Sequence, residues 1–266
     1  MDTTGIASQT VSEVILQVDG CVAEVRLASG PLNLVTRALL RSLNRTIDAL
    51  EAQSGLRCVI VHGGSARAFC AGSDIKEFAE IFADASEKKI LFEDMVLRRL
   101  ARLPVPTIAA IDGPALGGGL ELALACDLRV CRADATLGLT ESRLGGLAGN
   151  GALRLTRLIG PARAKELLFT GAVIGAERAL AWGLVNRIAG EGSALHAARE
   201  LAREIGARGP LSNRFAKQLV DAAQDQPLDA ALSASTVVQQ RIFDSHDLHE
   251  GVAAFLAKRD PEFLAR

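Results

Sequence analysis

Tyrosine is absent from this 266-residue chain, tryptophan occurs once, and aromatic residues make up only 4%. Proteins that hold single-stranded nucleic acid stack bases on exposed rings, so that function loses its commonest tool. Neither sign of charge is in excess: 30 Lys and Arg stand against 31 Asp and Glu. Such a chain has no bulk field to attract nucleic acid or an anionic membrane, and neither partner is expected. No apolar run approaches the ~20 residues of a bilayer span. The opening stretch MDTTGIASQT has no basic region, no apolar run and no Arg, so neither a secretory signal nor a mitochondrial presequence is read there. Five cysteines, Cys21, Cys58, Cys70, Cys126 and Cys131, form no CxxC pair and sit among apolar neighbours. They read as reduced, buried thiols of a cytoplasmic protein. His62, His196, His246, His249, Asp127 and Asp134 show no metal-ligand spacing and read as structural or exposed, so no metal is expected.

What is present is a large core and much glycine. With 49% hydrophobic and 23% charged residues, the chain fits one large domain, or one with a smaller appendage. The runs EVILQV and CVAEVRL, split by Asp19-Gly20, predict a hairpin. Leu39, Leu40, Leu43, Ile47 and Leu50 have helical spacing, and CVIVHG follows as a buried-type strand. Asp74 to Leu103 reads as helix, broken near residues 83–86, and ends at Pro104 and Pro106 before TIAAI. LELALAC is a strong helix former, LRVC a strand, and residues 136–139 a further short strand. This alternation predicts an α/β core of repeated ββα-like units. Beyond Asn150 helical periods dominate, over 154–169, 194–207, 211–223, 228–243 and 247–258, with AWGLVNRI the one strand-like run. A spiral core over 1–200 and a helical region over 201–266 are expected, with the change of character between 190 and 210.

The segment Gly117-Gly118-Gly119 entering a helix at Leu120 carries the most chemical information. Three glycines let a ligand carbonyl approach the backbone without Cβ obstruction, and first-turn N–H groups carry partial positive charge. The same residues would also serve close helix–strand packing. Neither GxGxxG nor GxxxxGK[ST] occurs, which excludes the dinucleotide fingerprint and the P-loop. Glu121 is the only charge among Leu120, Leu122, Ala123, Leu124 and Ala125. Apolar surroundings raise a carboxyl's proton affinity, which suits acid–base work near neutral pH. In ARAFCAGSDIKEF, Ala71-Gly72-Ser73 can present the Ser73 N–H while Asp74 caps the next helix. Ser73 as a nucleophile lacks both GxSxG and an identifiable His. Glu141 lies in LGLTESRLGGLAGNG, between a short strand and another glycine-rich loop, where a carboxylate is ordinarily just solvated.

Taken together, AFCAGSDIKEF, IDGPALGGGLELALACDLRV, LGLTESRLG with GNGALRLTRLIG, and HEGVAAFLAKRDPEF resemble the crotonase, or enoyl-CoA hydratase/isomerase, family, in order and from Val14 onward. The resemblance implies a crotonase-like spiral of ββα units with a helical C-terminal region. It implies an oxyanion hole from the N–H groups of Ser73 and Gly118, and Glu121 and Glu141 as the catalytic glutamates. It also implies an acyl-CoA path lined by Ala71, Ser73, Asp74, Ile75, Lys76, Gly117 and Gly118, with Lys258 approaching the CoA phosphates, often across a subunit boundary. Coenzyme A belongs to the substrate and no separate cofactor is implied; the assembly implied is a homotrimer or a hexamer. The leading reaction is hydration of 2-trans-enoyl-CoA in fatty acid metabolism. The alternatives are a double-bond isomerase using Glu141 and a non-catalytic acyl-CoA or RNA-binding relative. For the last, Lys88-Lys89 and Arg98 to Arg102 read instead as a solvated helix face beside Glu93 and Asp94. Two segments depart from the family pattern: Thr140 with the Pro-less LAGNGALRL, and SGPLNLVT.

Overall fold

The computed structural model describes residues 13–266, so the stretch MDTTGIASQT lies outside the described residues. Strands β1 (Val14–Asp19) and β2 (Val22–Leu27) form the hairpin that turns at Gly20, whose φ of 56° suits glycine. Helix α1 (Arg37–Glu51) follows, capped by the Thr36 hydroxyl, which accepts from the Leu39 amide. Its Leu39, Leu40, Leu43, Ile47 and Leu50 stripe is buried. Strand β3 (Cys58–His62) leads through the ARAFCAGSD loop to α2 (Ile75–Ala79), a wider π-wound turn (Ser86–Ile90) and α3 (Leu91–Ala101). Next come β4 (Thr107–Ile111), β5 (Ala115–Leu116), α4 (Gly118–Leu124), β6 (Leu128–Cys131) and β7 (Thr136–Gly138).

After β7, α5 (Gly149–Ile159) and α6 (Pro161–Thr170) are separate helices. The continuous helical period over 154–169 is interrupted because Gly160 adopts φ 79° and Pro161 starts a new helix. The strand-like run AWGLVNRI is also resolved differently. Its start belongs to α7 (Ala176–Ala181), which follows β8 (Ile174–Gly175), and only Arg187–Ile188 pairs as β9. Helices α8 (Ala194–Gly206), α9 (Pro210–Asp225), α10 (Leu228–Phe243) and α11 (His246–Ala257) complete the chain.

One sheet runs β1-β2-β3-β4-β6-β9, parallel from β2 onward, and a smaller one runs β5-β7-β8. Each of β4 and β6 passes straight on to a strand of the smaller sheet, which gives the spiral of ββα turns. Side-chain alternation divides the core. Val59 and Val61 face the main cluster with α1, α3 and α4, while Cys58, Ile60, Ile108 and Val130 pack on Ala194, Ala198 and Ala202 of α8. Helix α8 thus covers the sheet on both sides of residue 200, and its first amides are held by Asp112.

Parallel strands leave their carboxyl ends open to loops, where ligands of α/β sheets bind. Here the loop after β3 carries Ser73, and the triple glycine joins β5 to α4 a few residues beyond the end of β4. At the opposite ends, Arg57, just before β3, donates to the Phe263 carbonyl of the C-terminal tail at 2.6 Å, and Lys217 of α9 donates to the Val105 carbonyl and to Asp127. All five cysteines are free thiols, and burial pushes those of Cys58, Cys70 and Cys126 up to about 12, far from thiolate chemistry. No helix among the described residues is long and apolar enough to cross a membrane, and no metal-holding group of His, Cys, Asp or Glu occurs among them.

Candidate active site

Two glycine-bearing loops lie side by side beyond the strand ends. A parallel bridge holds Ser73 beside Val35: the Val35 amide donates to the Gly72 carbonyl at 2.9 Å, and the Asp74 amide donates to the Val35 carbonyl at 3.3 Å. In such a bridge the middle residue's own amide points to the opposite side, so the Ser73 N–H faces away from Val35 and donates to no described residue. Asp74 caps α2 through the Lys76 amide, and Ile75 and Lys76 lie exposed beside it. In the second loop Gly117 has φ 50° and ψ −127°, a conformation open to glycine, and turns the chain so that Gly118 heads α4 with its amide outside the helix ladder. A Cβ on Gly118 would lie 3.1 Å from the Ser73 hydroxyl, so Ser73 and Gly118 are neighbours. Gly119 is required for packing, since a Cβ there would sit 2.1 Å from the Cys70 carbonyl oxygen.

All of α4 is buried, and Glu121 is 8% exposed. Its Oε1 accepts from the Gly151 amide at 2.6 Å. Gly151 is a glycine because a Cβ would approach Glu121 Cγ and Leu139 to 2.9 Å. The Pro-less segment after Glu141 therefore has a definite task, to fold GNG over the carboxyl of Glu121. Asn150 pins that segment to α3 by donating to Asp94, and Arg154 donates to Asn150. Burial pushes the Glu121 carboxyl up to about 7; the Gly151 N–H opposes this, and the charges of Glu93 and Glu141 add to it.

Glu141 starts a 3₁₀ turn (Glu141–Leu144) closed by the Gly146 amide on its own carbonyl. The turn aims its carboxyl at the triple glycine: Oε1 lies 2.8 Å from where a Cβ on Gly117 would be. Its Oε2 is buried and accepts no hydrogen bond among the described residues. Burial raises its proton affinity too, partly offset by its own backbone amide. A buried carboxylate oxygen without a donor is costly, and active sites are where such groups are kept.

A third carboxyl shares this space and was read otherwise from the sequence. Glu93 is 7% exposed, and its Oε1 lies 3.5 Å from the Cβ position of Gly118. Lys89 is fully buried. The expected solvated helix face is thus corrected at both residues: Glu93, Val96, Leu97 and Leu100 form one inward stripe, and Lys89 lies one turn earlier on it. That i, i+3, i+4, i+7 spacing, carrying two charges on an apolar stripe, was the available signal. Burial raises the Glu93 proton affinity, Lys89 lowers it, and Glu141 and Glu77 raise it again. Arg99, by contrast, pairs at the surface with Asp48 and Glu51.

Ser73 and Glu93 lie against Gly118, Glu141 lies against Gly117, and Glu121 feels the charges of Glu93 and Glu141; the Ala71 amide is engaged by the Leu32 carbonyl, and Asp74, Ile75 and Lys76 follow Ser73 at the start of α2. Lys258 caps α11 in the left-handed conformation, its N–H donating to the Ala254 and Phe255 carbonyls, and the chain five residues on is anchored by Arg57 just before β3.

Two amides without partners among the described residues, beside several poorly solvated carboxyls, can stabilise a carbonyl oxygen that gains charge. Comparison with known proteins agrees. The enoyl-CoA hydratase/isomerase family model matches residues 17–266, and the chain belongs to that family. It is 38% identical over 236 residues to the mitochondrial methylglutaconyl-CoA hydratase of Rattus norvegicus, covering 87% of this chain and 75% of the relative. It is 34% identical over 254 residues to the short-chain-enoyl-CoA hydratase of Clostridium acetobutylicum, covering 95% and 97%. The crystal structure of enoyl-CoA hydratase from Bacillus anthracis superposes with a TM-score of 0.91 at 34% identity, covering 96% of this chain and all of that one.

Proposed function

We propose that the protein adds water across the double bond of 2-trans-enoyl-CoA thioesters to form 3-hydroxyacyl-CoA. The observation that carries the reading is the buried carboxyl of Glu121 together with the half-buried Glu141, whose Oε1 lies against Gly117 and whose Oε2 is buried without a partner among the described residues. The amides of Ser73 and Gly118 receive the thioester oxygen. As water attacks C3, electrons move toward that oxygen, and each preorganised donor is worth about 3 kcal/mol to the transition state. One carboxylate takes the proton from water while the other carboxyl delivers a proton to C2. A group titrating near 7 is suited to such an exchange at neutral pH. With three mutually repelling carboxyls, the site titrates as a set rather than residue by residue.

Ala71, Asp74, Ile75 and Lys76 line the approach of the CoA moiety in this reading, and Lys258 serves a neighbouring subunit's site. A homotrimer, or a hexamer of paired trimers, fits the apolar side chains exposed on α9 to α11, among them Val220, Leu232, Phe243, Phe255 and Leu256. Light scattering at working concentration checks the assembly, and a monomer would contradict it. The free thiols fit a reducing compartment, and we assign the protein to the cytoplasm.

The second reading, double-bond isomerisation through Glu141, draws on the same unpartnered oxygen. Crotonyl-CoA and 3-hexenoyl-CoA offered in deuterated water separate the two. Hydroxyacyl product with one deuterium at C2 supports hydration; migration of the 3-enoyl bond without water addition, and no reaction with crotonyl-CoA, overturns it.

A further inference from the structure

Lys89 gives or takes no proton in the chemistry above, where it acts only as a charge near Glu93, yet it is fully buried, and a lysine is rarely placed so without a partner that needs it. Its Nζ donates to the Val35 carbonyl at 2.7 Å. That same carbonyl accepts from the Asp74 amide, while the Val35 amide donates to Gly72. Val35 is therefore the clamp on both sides of Ser73, and Lys89 holds the clamp from behind. The ammonium is itself held by Glu77 Oε2 at 3.5 Å and lies 4.3 Å from the centre of the Phe78 ring. Glu77 is bound in turn by the Arg37 guanidinium and backbone amide at the start of α1.

We propose that Lys89 is a positioning residue of the oxyanion hole: through the Val35 carbonyl it fixes the 72–74 segment and so the direction of the Ser73 N–H. The inference rests on the reading that Ser73 and Gly118 receive a thioester oxygen. Donor aim matters because a displacement of about 1 Å in a preorganised site lowers rate by roughly 100-fold. A charged donor also grips a carbonyl more firmly than a neutral one. Without it the Val35 carbonyl keeps only the long 3.3 Å bond from Asp74.

The test compares Lys89→Met, Lys89→Arg and the unaltered protein on crotonyl-CoA, with a bound chromophoric cinnamoyl-CoA reporting carbonyl polarisation as a red shift of its absorbance. Lys89→Met is expected to lose about 10- to 100-fold in kcat with KM changed less than about 3-fold, together with most of the red shift. Lys89→Arg, which keeps a charged donor, is expected to recover the red shift. A folded Lys89→Met with the full red shift, or with loss in KM alone, would overturn the proposal. If Lys89→Met does not fold, Glu77→Gln decides. It loosens the ammonium without removing it; a partial loss of red shift at constant KM supports the role, and an unchanged red shift refutes it. If the unaltered protein turns over no enoyl-CoA, the hydratase reading fails first; polarisation of the bound probe then still reports on Lys89.

Discussion

Replacing Glu121 with Gln should make the protein more stable at pH 8 while removing its activity. The unfolded chain ionises this carboxyl near its ordinary 4.5, whereas the folded protein retains the proton up to about 7. Between those values the folded state binds more protons, so stability falls as pH rises from 4.5 to 7 and is level beyond. At about 1.4 kcal/mol for each pH unit, the interval amounts to roughly 3 kcal/mol. Gln has no proton to lose, and its carbonyl can still accept from the Gly151 amide. The titrations of Glu93 and Glu141 occur in both proteins and largely cancel in the difference. Urea unfolding of both proteins at pH 5 and pH 8, at one protein concentration, reads the effect. The variant's advantage should grow by about 2–3 kcal/mol between the two pH values. Parallel pH dependences would refute the idea that burial of an ionisable Glu121 is maintained at a cost in stability for the sake of its chemistry.

Other predictions address the scaffold and the third carboxyl. Gly119→Ala should lower stability by about 3 kcal/mol or more, because its Cβ would sit 2.1 Å from a backbone oxygen. Gly149→Ala, with open space around its Cβ position, should leave the melting temperature nearly unchanged in the same thermal scan. Glu93→Gln removes a like charge that raises the Glu121 proton affinity, so the limb of the kcat/KM profile set by Glu121 should move to lower pH. A shift to higher pH would contradict the coupling. Asn33→Ala should cost about 2–3 kcal/mol in urea unfolding, since the Asn33 amide group serves the carbonyls of Gly63, Ala68 and Phe69 and its oxygen accepts from the Ser29 amide.

Local chemistry made much of this architecture legible. Asp19-Gly20 marks the first turn because glycine tolerates φ 56°, and the leucine stripe of α1 marks its buried face. Glu121 was legible as a buried charge from its apolar company alone. Glu141 was not, since a carboxylate between two loops has no periodic context; only resemblance singled it out, and only the fold sets it over Gly117. Lys89 and Glu93 were misread because a π-wound turn precedes α3 and their charges masked the stripe they share with Val96, Leu97 and Leu100. The role of Gly151 as the cover of Glu121 depends on contact across 30 residues of chain, which no local pattern encodes. Likewise β5, two residues long, is held by pairing with β7 and by a bridge to Cys70, both distant in sequence.

The most direct test of the account is the rate of crotonyl-CoA hydration by the unaltered protein, Glu121→Gln and Glu141→Gln, followed as loss of enoyl-thioester absorbance. The two carboxyls acting as general acid and base predict a loss of about 100- to 10,000-fold in kcat for each variant, with thioester binding retained. Undiminished turnover in both variants would contradict it.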